Sequence, residues 1–238
     1  MIASLVKRLV ALTPYRISRR RENRFDATHS CLLHFREMGY VPSLIIDGGA
    51  HLGAFAEAAH KTFPEAELHL IEPQPACRAQ LETLTRQRGW VFHACALSDH
   101  TGTVRMACDV KPSTGAYVAT TGEATVDVPA ATIDSLLGAR LNSGHHALLK
   151  LDLQGHELRA LQGAETCLPK IDVVLVEVSF FQQGAPTIPE IISFFDQKGF
   201  DIFDIVGLAG RTRDGRLRQG DFVFVRRGSL LSADNSWV

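Results

Sequence analysis

Asp47, Glu72 and Asp152 each stand where an apolar run stops: after LII, after LHLI and after LLKL. A carboxylate there is poor packing but good ligand chemistry, because open α/β sheets bind small molecules in the crevice at the carboxyl ends of their strands. Behind Asp47 the chain reads GGAHLGAF. Gly49 and Gly53 let the backbone turn tightly and approach a ligand without interference from a Cβ atom.

Two nucleotide cofactors use such a corner, and the spacing separates them. A dinucleotide site needs G-x-G-x-x-G, so that pyrophosphate rests on amides at a helix N-terminus. Residues 47–53 instead fit D-x-G-x-x-x-G, with His51 inside the turn. An acid directly before the turn repels pyrophosphate and welcomes an ammonium or a sulfonium, which favours S-adenosylmethionine over NAD. Glu72 then matches the acid, roughly 20 residues on, that accepts hydrogen bonds from ribose hydroxyls. The adenine belongs near Ala96, Leu97, Ser98 and Asp99, where amides and apolar side chains sandwich the ring and Asp99 can accept from the exocyclic amine. Taken singly, Asp47 reads equally as an acid at a helix N-terminus, Glu72 as a cap before Pro73 and Asp99 as a turn residue. The pairing of two acids on adjacent strand ends carries the ligand reading.

Transfer from an activated methyl asks the protein to align acceptor oxygen, methyl and sulfur and to exclude water. A hydroxyl nucleophile also needs a base. Asp152 is the leading candidate, with Gln154 and His156 just beyond it and Glu177 at the end of the next strand; a histidine titrating near its ordinary value of about 6.5 serves at neutral pH. Asp152 and Glu177 also suit a magnesium ion, but no metal site is assigned. Lys150, inside a buried strand pattern, calls for a partner. Phe180 and Phe181 could wall the acceptor pocket, whereas His145 and His146 read as loop residues at the far end of their strand. The loop GLAGRTRDGRLRQGD carries Arg211, Arg213, Arg216 and Arg218 and reads as a solvated turn, with a phosphate-bearing acceptor as the alternative.

The elements that must position these residues follow from the apolar runs. LIID (44–47), ELHLIE (67–72), WVFHACA (90–96), ALLKLDL (147–153) and DVVLVEV (172–178) are nearly continuous, the pattern of parallel strands buried on both faces. Helical spacing occupies residues 26–38, Ala54–Thr62, Ala76–Arg88, Glu157–Cys167 and Ile188–Lys198. FDIFDIV (200–206) and DFVFVRR (221–227) flank a turn-forming loop and pair antiparallel. The expected fold is Rossmann-like α/β: a mostly parallel seven-stranded sheet with an antiparallel last strand and helices on both faces. Residues 101–130 break the alternation and read as an insertion between the third and fourth parallel strands. The resulting division is a helical extension over 1–42, the main domain over 43–227 and a tail over 228–238.

The 238 residues carry 45% hydrophobic content and a formal net charge of -1. That length supports one large domain, and that charge gives no broad phosphate-tracking surface for nucleic acid. Five cysteines without a CxxC pair read as reduced thiols. Without an apolar run of about 18 residues nothing spans a bilayer, and a cytoplasmic location is expected. Ile2, Leu5, Val6, Leu9 and Val10 form an apolar stripe, followed after Pro14 by the basic RISRRRENR. This stretch packs on the domain or on a second subunit of a homodimer; peripheral membrane contact is the alternative.

The successive motifs DGGAHLGAF, LIEPQP, ALSDHTG, VPAATIDSLL, LLKLDLQGHELRALQGA and VVLVEV resemble those of the FkbM family of S-adenosylmethionine-dependent methyltransferases. The resemblance covers about residues 43–205, and its most specific part is KLDLQGHE with LQGA. It implies a class I methyltransferase fold, S-adenosylmethionine as cofactor and usually O-methylation of a hydroxyl on a sugar, glycolipid or polyketide-like small molecule. His51 departs from the pattern, which usually has Asn there. A NAD-dependent oxidoreductase and a non-catalytic lipid- or glycan-binding scaffold stand as alternatives.

Overall fold

The structure is a computed structural model and describes residues 26–109, 111–119, 125–141, 146–181 and 185–232. In chain order the elements are α1 (Asp26–Glu37), β1 (Leu44–Gly48), α2 (Ala54–Thr62), β2 (Glu67–Ile71), α3 (Pro75–Arg88), β3 (Val91–His93), β4 (Ala96–Leu97), β5 (Gly102–Ala107), β6 (Tyr117–Val118), β7 (Thr125–Ala131), α4 (Ile133–Leu137), β8 (Ala147–Leu151), α5 (Glu157–Gln162), β9 (Val173–Ser179), α6 (Ile188–Gln197), β10 (Phe200–Arg211) and β11 (Leu217–Arg226).

Seven strands form the main sheet in the order β10-β11-β9-β8-β1-β2-β3. β3, β2, β1, β8 and β9 run parallel, and β11 enters antiparallel between β9 and β10. Alternation along each strand divides the core. Ile45, Leu148, Leu175 and Val223 face the layer holding Phe35 of α1, Phe55 of α2 and Leu81 of α3. Ile46, Leu149, Val176 and Phe224 face Ile133 of α4, Leu161 of α5 and Phe195 of α6. Burying each such side chain contributes about 1.5–3 kcal/mol. Phe195 and Phe224 stack with ring centroids 4.0 Å apart. α6 is started by a capping box, in which Thr187 and Glu190 satisfy each other's backbone N–H groups.

Three expectations are corrected. The third run, 90–96, does not stay in one sheet: β3 ends at His93, and Ala96–Leu97 joins a second, four-stranded sheet in the order β4-β7-β5-β6. The segment 101–130 supplies β5, β6 and most of β7 to that second sheet. The helix expected over Glu157–Cys167 stops at Gln162, and Gly163 after it packs so closely on Ser98 that a Cβ there would lie 2.2 Å from its carbonyl oxygen. The strands of the final hairpin extend to Arg211 and start at Leu217, so most of the expected polar loop is paired backbone. The apolar stripe 2–10, the basic segment after Pro14, residues 120–124, His145 and residues 233–238 lie outside the described residues.

All five thiols are free, and four are buried. No helix among the described residues is long and apolar enough to cross a membrane.

Candidate active site

β1 and β8 are parallel neighbours, and Asp47 pairs in register with Lys150, which puts both side chains on one face. Lys150 Nζ lies 3.1 Å from Asp47 Oδ1 and donates to the carbonyls of Gly48 (3.2 Å) and Gly49 (2.8 Å). The lysine therefore grips the turn as well as its counter-charge. Both groups are buried. Burial works against the ammonium, but Asp47, Asp152 and Glu72 outweigh it and hold its pKa above the ordinary lysine value. Burial likewise pushes the Asp47 carboxyl up, against the pull of Lys150. Lys150 and the Ala56 N–H both draw that carboxyl back down. Asp47 sits behind the cleft surface, so its charge meets Lys150 and not a ligand's ammonium; Lys150 is what reaches the cleft.

The cleft opens between this turn and the second sheet, with about 970 Å³ of empty space including its mouth. At Gly49, φ is 75° and a Cβ would lie 2.0 Å from the carbonyl oxygen of Asp152, so only glycine lets the β1 and β8 turns close on each other. Gly53, φ 85°, supports the turn from behind, against Leu84 and Leu81. Glu72 caps β2: its carboxylate accepts from the N–H groups of His51 (2.7 Å) and Gln74 (2.9 Å), and burial raises its pKa. The His51 ring lines the same cleft, and its Nε2 is buried without a hydrogen-bond partner in the protein. Ile71, Pro73, Ala96, Leu97 and Met106 form an apolar wall.

On the other side, Asp152 and Gln154 follow β8. Gln154 adopts φ 54°, unusual for a residue with a side chain, and its amide donates to Asp152 Oδ1 (2.8 Å) and Glu177 Oε2 (2.7 Å). Gln219 of β11 donates to the remaining oxygen of Glu177. Beneath this loop the buried Glu157 carboxylate accepts from the N–H groups of Leu153 (2.7 Å) and Gly155 (3.1 Å). Burial pushes its carboxyl up to about 7. His156 lines the cleft, and burial lowers its pKa, keeping the imidazole neutral at neutral pH. With Ser98 Oγ donating to Asp99 (3.1 Å), His156 Nε2–H donates to Ser98 (3.1 Å), which leaves Nδ1 as its acceptor nitrogen.

Of the residues expected from sequence, Gly49, His51, Glu72, Ala96, Leu97, Asp152 and His156 line one cleft. Glu177 lines a smaller adjoining recess with Phe55, Thr28 and Asp221. Asp99 is displaced from the role given to it. His100 and Arg159 occupy its carboxylate and hold its pKa well below the usual range, and its link to the cleft runs through Ser98 and His156. The sequence reading missed the wall from the second sheet, Met106, Ser113, Thr114 and Tyr117, and the Ser113 N–H donated to Gln74 Oε1 (3.1 Å) that fastens it beside Glu72.

The sheet order, the glycine turn after β1 and the acid ending β2 define a Rossmann-like, class I methyltransferase fold. An rRNA methylase from Streptococcus thermophilus shares it, at 9% identity, TM-score 0.50, covering 87% of this chain and 99% of that one. Residues 47–202 match the methyltransferase FkbM domain, more than half of the chain, and the chain belongs to that family. Two further structures are similar. Methyltransferase FkbM from Methylobacillus flagellatus KT is 16% identical, with TM-score 0.47, covering 76% of this chain and 43% of that one, so this chain spans under half of that protein. Magnesium protoporphyrin IX methyltransferase from Synechocystis PCC 6803, with bound S-adenosylmethionine, is 11% identical, with TM-score 0.49, covering 94% and 96%. No curated protein matches the sequence.

The chain accordingly carries an S-adenosylmethionine-dependent methyltransferase domain. Its residues fit that donor. Among the residues lining the cleft, Glu72 would accept from ribose hydroxyls, the Ala96–Leu97 wall would take an adenine, and His51 and Lys150 would meet the donor's polar end.

Proposed function

We propose that the enzyme methylates a hydroxyl oxygen of a sugar, glycolipid or polyketide-like small molecule. The observation that carries this reading is the Asp152–Gln154–Glu177 cluster, where one amide holds two carboxylates together at the ends of adjacent strands. S-adenosylmethionine, when bound, supplies an electrophilic methyl group on a sulfonium. The chain's own part is positioning and proton removal. Lys150 and Gly49 hold the two turns in register, the second sheet excludes water, and Asp152 lines the cleft as the group that takes the hydroxyl proton. His156, neutral with its Nδ1 available, is the second candidate base.

Asp152→Asn keeps the amide contact and removes the base, so turnover should fall about 10²- to 10⁴-fold with little change in donor affinity. Tritiated S-adenosylmethionine offered with matched glycosides and amines should place label on glycoside oxygen. Label confined to amines or to carbon would overturn the O-methylation reading and leave the methyltransferase standing.

A further inference from the structure

The β10–β11 hairpin stands apart electrostatically. Residues 211–218 hold Arg211, Arg213, Arg216 and Arg218 against Asp214 alone, in a chain whose net charge is -1. Arg211 donates to the carbonyl of Gly215 (2.7 Å) and braces the turn. Arg216 pairs with Asp214 (2.7 Å) and lies 4.9 Å above the Phe181 ring. Arg213 and Arg218 are exposed and have no carboxylate partner among the described residues.

The topology puts this charge beside the acceptor side of the cleft. β9 runs parallel to β8 and ends at Ser179, opposite Gln219, and the Phe180 N–H donates to the Arg218 carbonyl (2.8 Å). The turn therefore overhangs the carboxyl edge of the sheet, the edge that carries Asp152 and Glu177. Glu177 is in register with Asp221. At a strand rise of about 3.4 Å per residue, Arg218 lies about 10 Å along the strand from that point, its side chain leaving from the opposite face of the ribbon to Asp221 and Gln219, and the turn tip with Arg213 lies about 15–20 Å away. That is the length of a sugar ring joined to one or two phosphates.

The two regions carry opposite fields. Asp152, Glu177 and Asp221 edge the recess beside the reacting centre, and carboxylates accept hydrogen bonds from hydroxyls while repelling anions. Guanidinium groups bind phosphate with charge-assisted, often bidentate bonds. We infer that the hairpin is a phosphate anchor for the methyl acceptor, whose hydroxylated ring sits inward and whose phosphate or pyrophosphate points outward to Arg213 and Arg218. This rests on the acceptor reading above, since the ring must enter from the side of Glu177.

The test uses the full chain and inorganic pyrophosphate, titrated calorimetrically at low salt. Saturable binding is expected, weakened at least tenfold in an Arg213→Gln/Arg218→Gln variant and unchanged in an Arg78→Gln/Arg86→Gln control on α3. S-adenosylhomocysteine should bind all three proteins equally. Absence of saturable binding, or equal weakening in the control, overturns the anchor. A wild-type chain that binds pyrophosphate but not S-adenosylhomocysteine would instead remove the donor reading and leave the anchor standing. Sedimentation with phosphatidylglycerol vesicles separates the sources: co-pelleting that needs Arg213 and Arg218 assigns a lipid headgroup, and pyrophosphate binding without co-pelleting assigns a soluble phosphate.

Discussion

Replacing Lys150 by Met examines the join on which the cleft depends. The residue is 8% exposed, and its ammonium lies 3.1 Å from Asp47 and is bonded to two carbonyls of the glycine turn. Removing one member of a buried pair strands the other, at a cost of about 3–5 kcal/mol. Protonation of Asp47, whose pKa burial already raises, limits the loss to the lower end of that range. Urea unfolding should show it as a lower midpoint at unchanged slope. The Asp47→Leu/Lys150→Met double variant should regain most of the stability, because an apolar pair of similar volume has no charge left to desolvate. It should not regain affinity for S-adenosylhomocysteine, since the Gly48 and Gly49 carbonyls stay ungripped. A single variant that loses under about 1 kcal/mol, or a double variant as unstable as the sum of the two singles, would refute the coupling.

Two further outcomes follow from buried carboxylates. Glu72→Gln keeps the size of the side chain and loses its charge, so S-adenosylhomocysteine should bind about 10- to 100-fold more weakly by calorimetry, the value of one charged hydrogen bond. Glu157, pushed from 4.5 up to about 7 by burial, holds its proton in the folded chain while the unfolded chain has already released it. Its contribution to stability therefore falls as pH rises from about 4.5 to about 7, by on the order of 3 kcal/mol. Glu157→Gln should flatten that part of the profile, read as the change in urea midpoint between pH 5 and pH 8 against the wild type; an unchanged slope would refute it.

Much of the main sheet was readable because its strands are buried on both faces and so appear as unbroken apolar runs. The carboxylates that end them were readable for the complementary reason, that a charge there has no packing rationale. The second sheet was harder: β5 has one buried residue in six and shows no clean alternation. The far part of the hairpin, residues 207–220, was read as a loop because Gly207 and Gly210 look like turn residues. Gly207 is glycine because Asp221 crosses it, 2.4 Å from where a Cβ would sit. The role of Lys150 depends on a register with Asp47 across 103 positions of sequence, and Gln154 acts through Glu177 on another strand. Such long-range pairings leave no local signal.

His51 and Gln154 are the non-glycine residues with left-handed backbone among the described residues, with φ of 49° and 54°, and they stand on opposite sides of the cleft. Each carries a conformational penalty of about 1–2 kcal/mol that glycine would not. Glycine would relieve that strain at either place, but would erase the His51 imidazole or the Gln154 amide that joins Asp152 to Glu177. Backbone ease and side-chain chemistry are set against each other at two identifiable codons, which is where an engineer should decline a glycine substitution.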